Sequence, residues 1–155
     1  VKVLDLSHNR IQQIPGVIGR LIHLSHLDLS FNKIEALPSS IGDLRALVKL
    51  NAQNNALEML PPHMGNLDML SDLNIENNPL IAPPSEVLKG GTGSVLEYLR
   101  HFSEANKSGV LRLIALNLTM LPLEVPFLTG IMELTITNNK IKDLPLETGN
   151  LTMLR

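Results

Sequence analysis

The chain has 155 residues, 44% of them hydrophobic but only 3% aromatic, with no Trp, no Cys and a formal net charge of -2. These figures exclude a disulfide-stapled small domain and a strongly basic surface that would gather nucleic acid or an anionic membrane. No apolar run is long enough to span a bilayer, and no basic stretch followed by an apolar one opens the chain. The length suits one domain, and the lack of Cys favours a reducing compartment, which gives the cytoplasm, with the nucleus as the other option, as the expected location. An interior almost without rings must be filled by Leu and Ile, which suits one shape repeated many times. Asn-x-Ser/Thr sequons at Asn106, Asn117 and Asn150 are about as many as chance supplies.

Four segments align without gaps from the first residue, and their equivalent residues Leu4, Leu27, Leu50 and Leu73 are each 23 residues apart. Within each, L-x-x-L-x-L alternates apolar and polar residues with the period of a strand. In the second segment Leu27 and Leu29 are expected to point inward, and His26, Asp28 and Ser30 outward. An Asn follows at a fixed place: Asn9, Asn32, Asn55, Asn78 and, further on, Asn139. An amide donates and accepts at once, so stacked amides can satisfy backbone groups where the chain leaves each strand. A buried polar group left unpaired there would cost about 1–3 kcal/mol.

A Leu-Pro or Ile-Pro pair comes next, at Ile14-Pro15, Leu37-Pro38, Leu60-Pro61, Leu121-Pro122 and Leu144-Pro145. Proline fixes φ and removes a donor, which favours an extended return path. Residues such as Ile41, Leu44 and Leu47, three apart, then suit a short helical or 3₁₀ segment. One repeat cannot bury its own Leu set, whereas a stack buries it continuously. The strands are expected to form one parallel sheet with right-handed crossovers.

The register breaks after the fourth segment. Leu111 lies 38 residues beyond Leu73, one repeat plus 15 inserted residues, and Leu134 follows 23 later. Val95, Leu96, Leu99 and Phe102 are spaced as the apolar face of a helix, which Thr92 or Ser94 could cap, and the polar stretch 103–109 reads as a loop. The expected organisation is therefore a first block over 1–87, a helix and loop over 88–107, and the start of a second block over 108–155. The second block departs from the pattern: Leu116 stands where the recurring Asn belongs, Ile114 and Ala115 make its outer strand positions apolar, and Thr148 replaces an Ile. At the junction Pro83 replaces the Leu of the Leu-Pro pair.

The segment LSHLDLSFNKIEALPSSIGDLRAL resembles the 23-residue leucine-rich repeat of the Ras-group type, found in SUR-8/Shoc2-like scaffolds, Scribble-like polarity proteins and plant Ras-group-related proteins. The resemblance covers nearly the whole chain. The break, with Leu96-Glu97-Tyr98-Leu99-Arg100 followed by a fresh repeat, is similar to the junction of two-block cytosolic leucine-rich-repeat proteins. The resemblance implies an α/β leucine-rich-repeat solenoid: a curved right-handed superhelix with a parallel sheet on the concave side and short helical or irregular segments on the convex side. It also implies a protein-binding scaffold, with roles in signalling assemblies. A chain that starts inside a strand and stops one turn into a new repeat is further expected to be part of a longer protein.

Other chemistry fits these residues less well. Gly90-Gly91-Thr92-Gly93 lacks the spacing and the preceding strand of a phosphate loop. Asp5 and Asp28 share a column about 4.8 Å apart and could split their pKa values as an acid–base pair, but no nucleophile accompanies them. Of the five His, His8 and His26 face the same side with a strand offset of roughly 16 Å, too far for one metal ion. No enzyme activity, no metal and no cofactor is expected.

The outer strand residues carry the remaining weight. Their columns hold Val3, His26, Lys49 and Asp72; Asp5, Asp28, Asn51 and Asn74; Ser7, Ser30, Gln53 and Glu76; and His8, Phe31, Asn54 and Asn77. The expected protein-binding residues are His8, His26, Asp28, Phe31, Lys49, Asn51, Gln53, Asp72, Asn74 and Glu76, with Phe31 as anchor, because exposed aromatics often act as hot spots. A tolerated lone surface aromatic is the other reading of Phe31. Three functions remain open at this point. One is a scaffold or adaptor, with no nucleic acid and no membrane insertion. Another is a regulatory or recognition segment of a larger enzyme, such as a Roco-type GTPase–kinase or a ubiquitin ligase. The third is a spacer without a partner.

Overall fold

Each repeat contributes a three-residue strand centred on its first strand Leu, and backbone bonds between repeats continue beyond it, as from the Leu29 amide to the Asn51 carbonyl. The computed structural model describes residues 1–155. Strands β1 (Val3–Asp5), β2 (His26–Asp28), β3 (Lys49–Asn51) and β4 (Asp72–Asn74) form one parallel sheet in chain order. Leu4, Leu27, Leu50 and Leu73 lie opposite one another across it. Strands β5 (Val110–Arg112) and β6 (Glu133–Thr135) form a second, two-stranded parallel sheet. The single sheet expected from the sequence is thus two sheets, separated where the 15 residues are inserted.

The opposite wall is made of short 3₁₀ helices, Gly16–Arg20, Ser39–Asp43, Pro62–Asn66, Val125–Phe127 and Leu146–Asn150. The prolines set them up. Pro15, Pro38 and Pro61 are extended, and their carbonyls accept from the amides of Ile18, Ile41 and Met64, each at 3.0 Å. These i to i+3 bonds start a 3₁₀ turn. Between the walls Leu27, Leu29, Ile34, Ile41, Leu44, Leu47 and Leu50 are buried, each contributing about 1.5–3 kcal/mol. One continuous core runs from Ile14 through the helical break to Leu151.

The break holds α1 (Ser85–Leu88), at the place of the next 3₁₀ helix, and α2 (Gly91–Ser108). Helix α2 continues through the stretch 103–109 expected to be a loop: Ser103 and Ala105 are buried and only Gly109 leaves the helix, with φ 72° and its amide bonded to the Ala105 carbonyl. A left-handed Gly is the usual helix stop. Neither Thr92 nor Ser94 caps the helix, which makes no side-chain cap bond; Thr92 Oγ1 instead accepts from the Leu73 amide at 3.2 Å. Val95, Leu96, Leu99 and Phe102 are buried as the spacing predicts, and so is Tyr98, because α2 has neighbours on two sides. On one side it lies against the 3₁₀ helix Pro62–Asn66, where a Cβ on Gly65 would collide with the Arg100 backbone, just as one on Gly42 would collide with His63 and one on Gly19 with Ser40. Helix α2 therefore takes the seat of the next repeat's outer wall. On the other side Tyr98 donates to Glu124 Oε1 at 3.0 Å, and Glu86 Oε1 of α1 accepts from the Thr119 hydroxyl at 2.7 Å.

Candidate functional site: the outer face of the first sheet

The outer strand residues of β1 to β4 separate into rows with different duties. In the first row Lys49 bonds Asp72 at 2.8 Å, both side chains about half exposed. That bond holds the Lys49 ammonium above its ordinary pKa. His26, next in the row, lies 2.9 Å from the Ser25 hydroxyl through Nδ1. The hollow between His26, Asp28 and Lys49 has a volume of about 190 Å³, below the range of about 300–1,000 Å³ that small-molecule sites occupy.

The second row is committed to the backbone. Asp5, Asp28, Asn51 and Asn74 each accept, through Oδ1, the amide two residues on, from Ser7, Ser30, Gln53 and Glu76, at 2.9 to 3.3 Å. Short polar side chains close such local turns readily. Asp28 also accepts from the Ser30 hydroxyl at 2.6 Å and from Asn51 Nδ2 at 3.0 Å. Ser30 is consequently only 2% exposed, which corrects its expected outward position. Asp5 has a carboxyl held below its ordinary pKa by the Ser7 hydroxyl and amide. In the third row Gln53 is half-buried, whereas Glu76 is exposed.

The fourth row turns away from the strands. His8, Phe31, Asn54 and Asn77 all have φ 54°, the left-handed region that Asn tolerates and a bulky aromatic rarely adopts. Phe31 is 43% exposed. It stacks on His8 with ring centroids 4.4 Å apart and an interplanar angle of 9°. The structure thus joins His8 with Phe31, and Lys49 with Asp72. It draws Asp28, Asn51 and Asn74 into structural bonds. The backbone strain under Phe31 and the burial of Ser30 are what sequence reasoning missed. The recurring Asp or Asn two residues before a polar residue was the signal for the second.

Beneath this face the recurring Asn side chains link neighbouring repeats. Asn55 Nδ2 donates to the carbonyls of Leu29, Ala52 and Gln53, and its Oδ1 accepts from the Ile34 amide. Asn32 and Asn78 repeat this set. Asn9 bonds Leu6 and Ser7. Asn139 reaches Leu113 and accepts from the amides of Leu116 and Leu118. No group of three or more His, Asp or Glu is placed to hold a metal ion, and no helix is long and apolar enough to cross a membrane.

A strand, a turning Asn, a Pro-led 3₁₀ return and a shared Leu interior define a leucine-rich-repeat solenoid. A family model described as a leucine-rich repeat region matches residues 1–85, and the chain belongs to that family. Among solved structures it is similar to a leucine-rich-repeat protein of Leptospira interrogans, with 26% identity and a TM-score of 0.52 over 98% of this chain and 47% of that one. It is also similar to the plant peptide hormone receptor RGFR1 in complex with RGF2, with 27% identity and a TM-score of 0.50 over 99% of this chain and 23% of that one. The chain therefore spans less than half the length of either. No curated protein matches it.

Proposed function

We propose that this chain is a protein-binding module that takes its partner on the outer face of the first sheet, as part of an intracellular scaffold of the SUR-8/Shoc2-like Ras-group type working in signalling assemblies. The observation that carries the reading is the stacked His8–Phe31 pair, held half exposed on left-handed backbone. An aromatic stands at a turn position that the next two repeats fill with Asn, and an exposed aromatic is a common anchor of an interface. The Lys49–Asp72 row beside it supplies charges that steer and orient a partner. The shallow relief around His26, Asp28 and Lys49 suits a protein better than a buried small molecule. The plant receptor it resembles is one seen in complex with RGF2. The Ras-group assignment and the intracellular location rest on the 23-residue Leu-Pro repeat and the absence of Cys.

The test is affinity purification with the double variant Phe31→Ala plus Lys49→Glu against the parent chain. Both changes are on half-exposed side chains, and an ion pair this exposed adds little to stability, so the solenoid stays folded. The double variant is expected to lose the proteins the parent captures. Recovery of the same proteins in the same amounts refutes the site.

A further inference from the structure

The first sheet ends on an edge with an unfinished hydrogen-bond pattern. In the ladder, the amides of Leu29 and Ala52 donate to the next strand's carbonyls at Asn51 and Asn74, and those of Phe31 and Asn54 to Gln53 and Glu76. The amides of Ile34 and Leu57 donate to the next repeat's Asn side chain. The equivalent amides on β4 are Ile75, Asn77 and Leu80, and none of them has a partner. The chain's own next strand, β5, belongs to the other sheet. In the gap lies a cleft of about 590 Å³ bounded by the β4 edge, with Leu80, Leu88 and Val95 among its apolar lining and Asp72 and Glu76 on its rim.

We propose that this cleft binds an extended peptide segment of a partner protein, which adds to β4 as a fifth parallel strand. The cleft lies apart from the His8–Phe31 pair of the proposed interface and shares Asp72 with the Lys49–Asp72 row. Strand addition satisfies a row of unpaired amides at once, and alternate side chains set the specificity. The edge dictates which side chains fit. Positions beside Asp72 and Glu76 call for cations, since charges of opposite sign directly opposite one another stabilise a sheet; the Lys49–Asp72 bond already does this one strand earlier. The positions beside Leu73 and Ile75 point towards Leu80, Leu88 and Val95 and call for Leu or Ile. The position beside Asn77, where the backbone is left-handed, calls for Gly or Asn. An Asn after it reaches the Leu80 amide. The segment recognised is therefore cation, apolar, any, apolar, cation, Gly, Asn. At its start Thr92 already holds the Leu73 amide, so pairing begins at the Leu73 carbonyl.

The probe is the fluorescein-labelled peptide Lys-Leu-Thr-Leu-Lys-Gly-Asn, titrated by anisotropy, with Leu-Lys-Thr-Lys-Leu-Gly-Asn as the same composition out of register. The first is expected to bind saturably and the second to bind at least about tenfold more weakly, as is the first to Glu76→Lys. Glu76 is exposed and its side chain makes no bond within the chain, so that variant folds. Amide exchange at Ile75, Asn77 and Leu80 is expected to slow in the complex. Phe31→Ala is expected to leave peptide binding unchanged, which separates this site from the sheet face. Absence of saturable binding, equal affinity for the two peptides, or protection that appears elsewhere and not at these three amides overturns the proposal.

Discussion

Phe31 lies flat on His8, 4.4 Å between ring centroids, although both residues occupy left-handed backbone that the next two repeats give to Asn54 and Asn77. Left-handed φ costs an ordinary residue about 1–2 kcal/mol, and a stacked ring pair returns about 0.5–1.5 kcal/mol. Phe31→Asn removes both terms, so urea denaturation should find its stability within about 1 kcal/mol of the parent. Binding should nevertheless be lost. A variant that unfolds would show that the pair is structural.

Asn55 is expected to matter far more to stability than any residue of the outer face. Its amide group satisfies three carbonyls and the Ile34 amide. Asn55→Ala leaves them unpaired beneath the sheet, and denaturant titration should show a loss of about 2–3 kcal/mol. Asn9, which bonds only Leu6 and Ser7 within its own repeat, should cost less when changed to Ala.

The repeat was legible because a period of 23 puts equivalent residues in one column, and columns fix register: Leu4, Leu27, Leu50 and Leu73 are paired as their numbers require. What each outer side chain does was less legible. Asp28 reads as exposed and available, but the Ser30 amide and hydroxyl compete with solvent for its carboxylate and hold it. The end of α2 was misread because residues 103–109 are mostly polar, while the stop signal was a single Gly109. The close approach behind Gly19, Gly42 and Gly65 was written in their spacing of 23, though a glycine alone does not say what it touches.

Gly65→Ala tests that close approach. A methyl there meets the Arg100 backbone, so α2 must move off the first block. A loss of about 1–3 kcal/mol is expected from calorimetry, the usual cost of overpacking. Gly93, within α2 with open space around it, is the control: Gly93→Ala should be neutral or stabilising by up to about 1 kcal/mol.

Two carboxylates at the junction should respond to pH in opposite senses. Burial raises the pKa of Glu124, whose Oε2 is buried without a partner. The folded chain therefore holds that proton more tightly than the unfolded chain. The resulting stabilisation is full below the ordinary carboxylate pKa and is lost as pH rises through the raised folded value. Glu124→Gln should raise the melting temperature at neutral pH and make little difference in acid. The Thr119 hydroxyl, first among several hydrogen bonds, lowers the pKa of Glu86. Its stabilisation is present above the ordinary carboxylate pKa and is lost as pH falls through the lowered folded value. Glu86→Gln should lower the melting temperature at neutral pH, and the deficit should shrink in acid.

The measurement that bears most directly on the binding face is photo-crosslinking in cells from two positions on the full chain. A benzophenone amino acid replaces Phe31 in one variant and the exposed Val17, on the 3₁₀ wall, in the other. A discrete crosslinked partner from position 31, lost on adding Lys49→Glu and missing from position 17, is the predicted result. A partner captured from position 17 and not from position 31 contradicts the account, because it places the interface on the opposite wall of the solenoid.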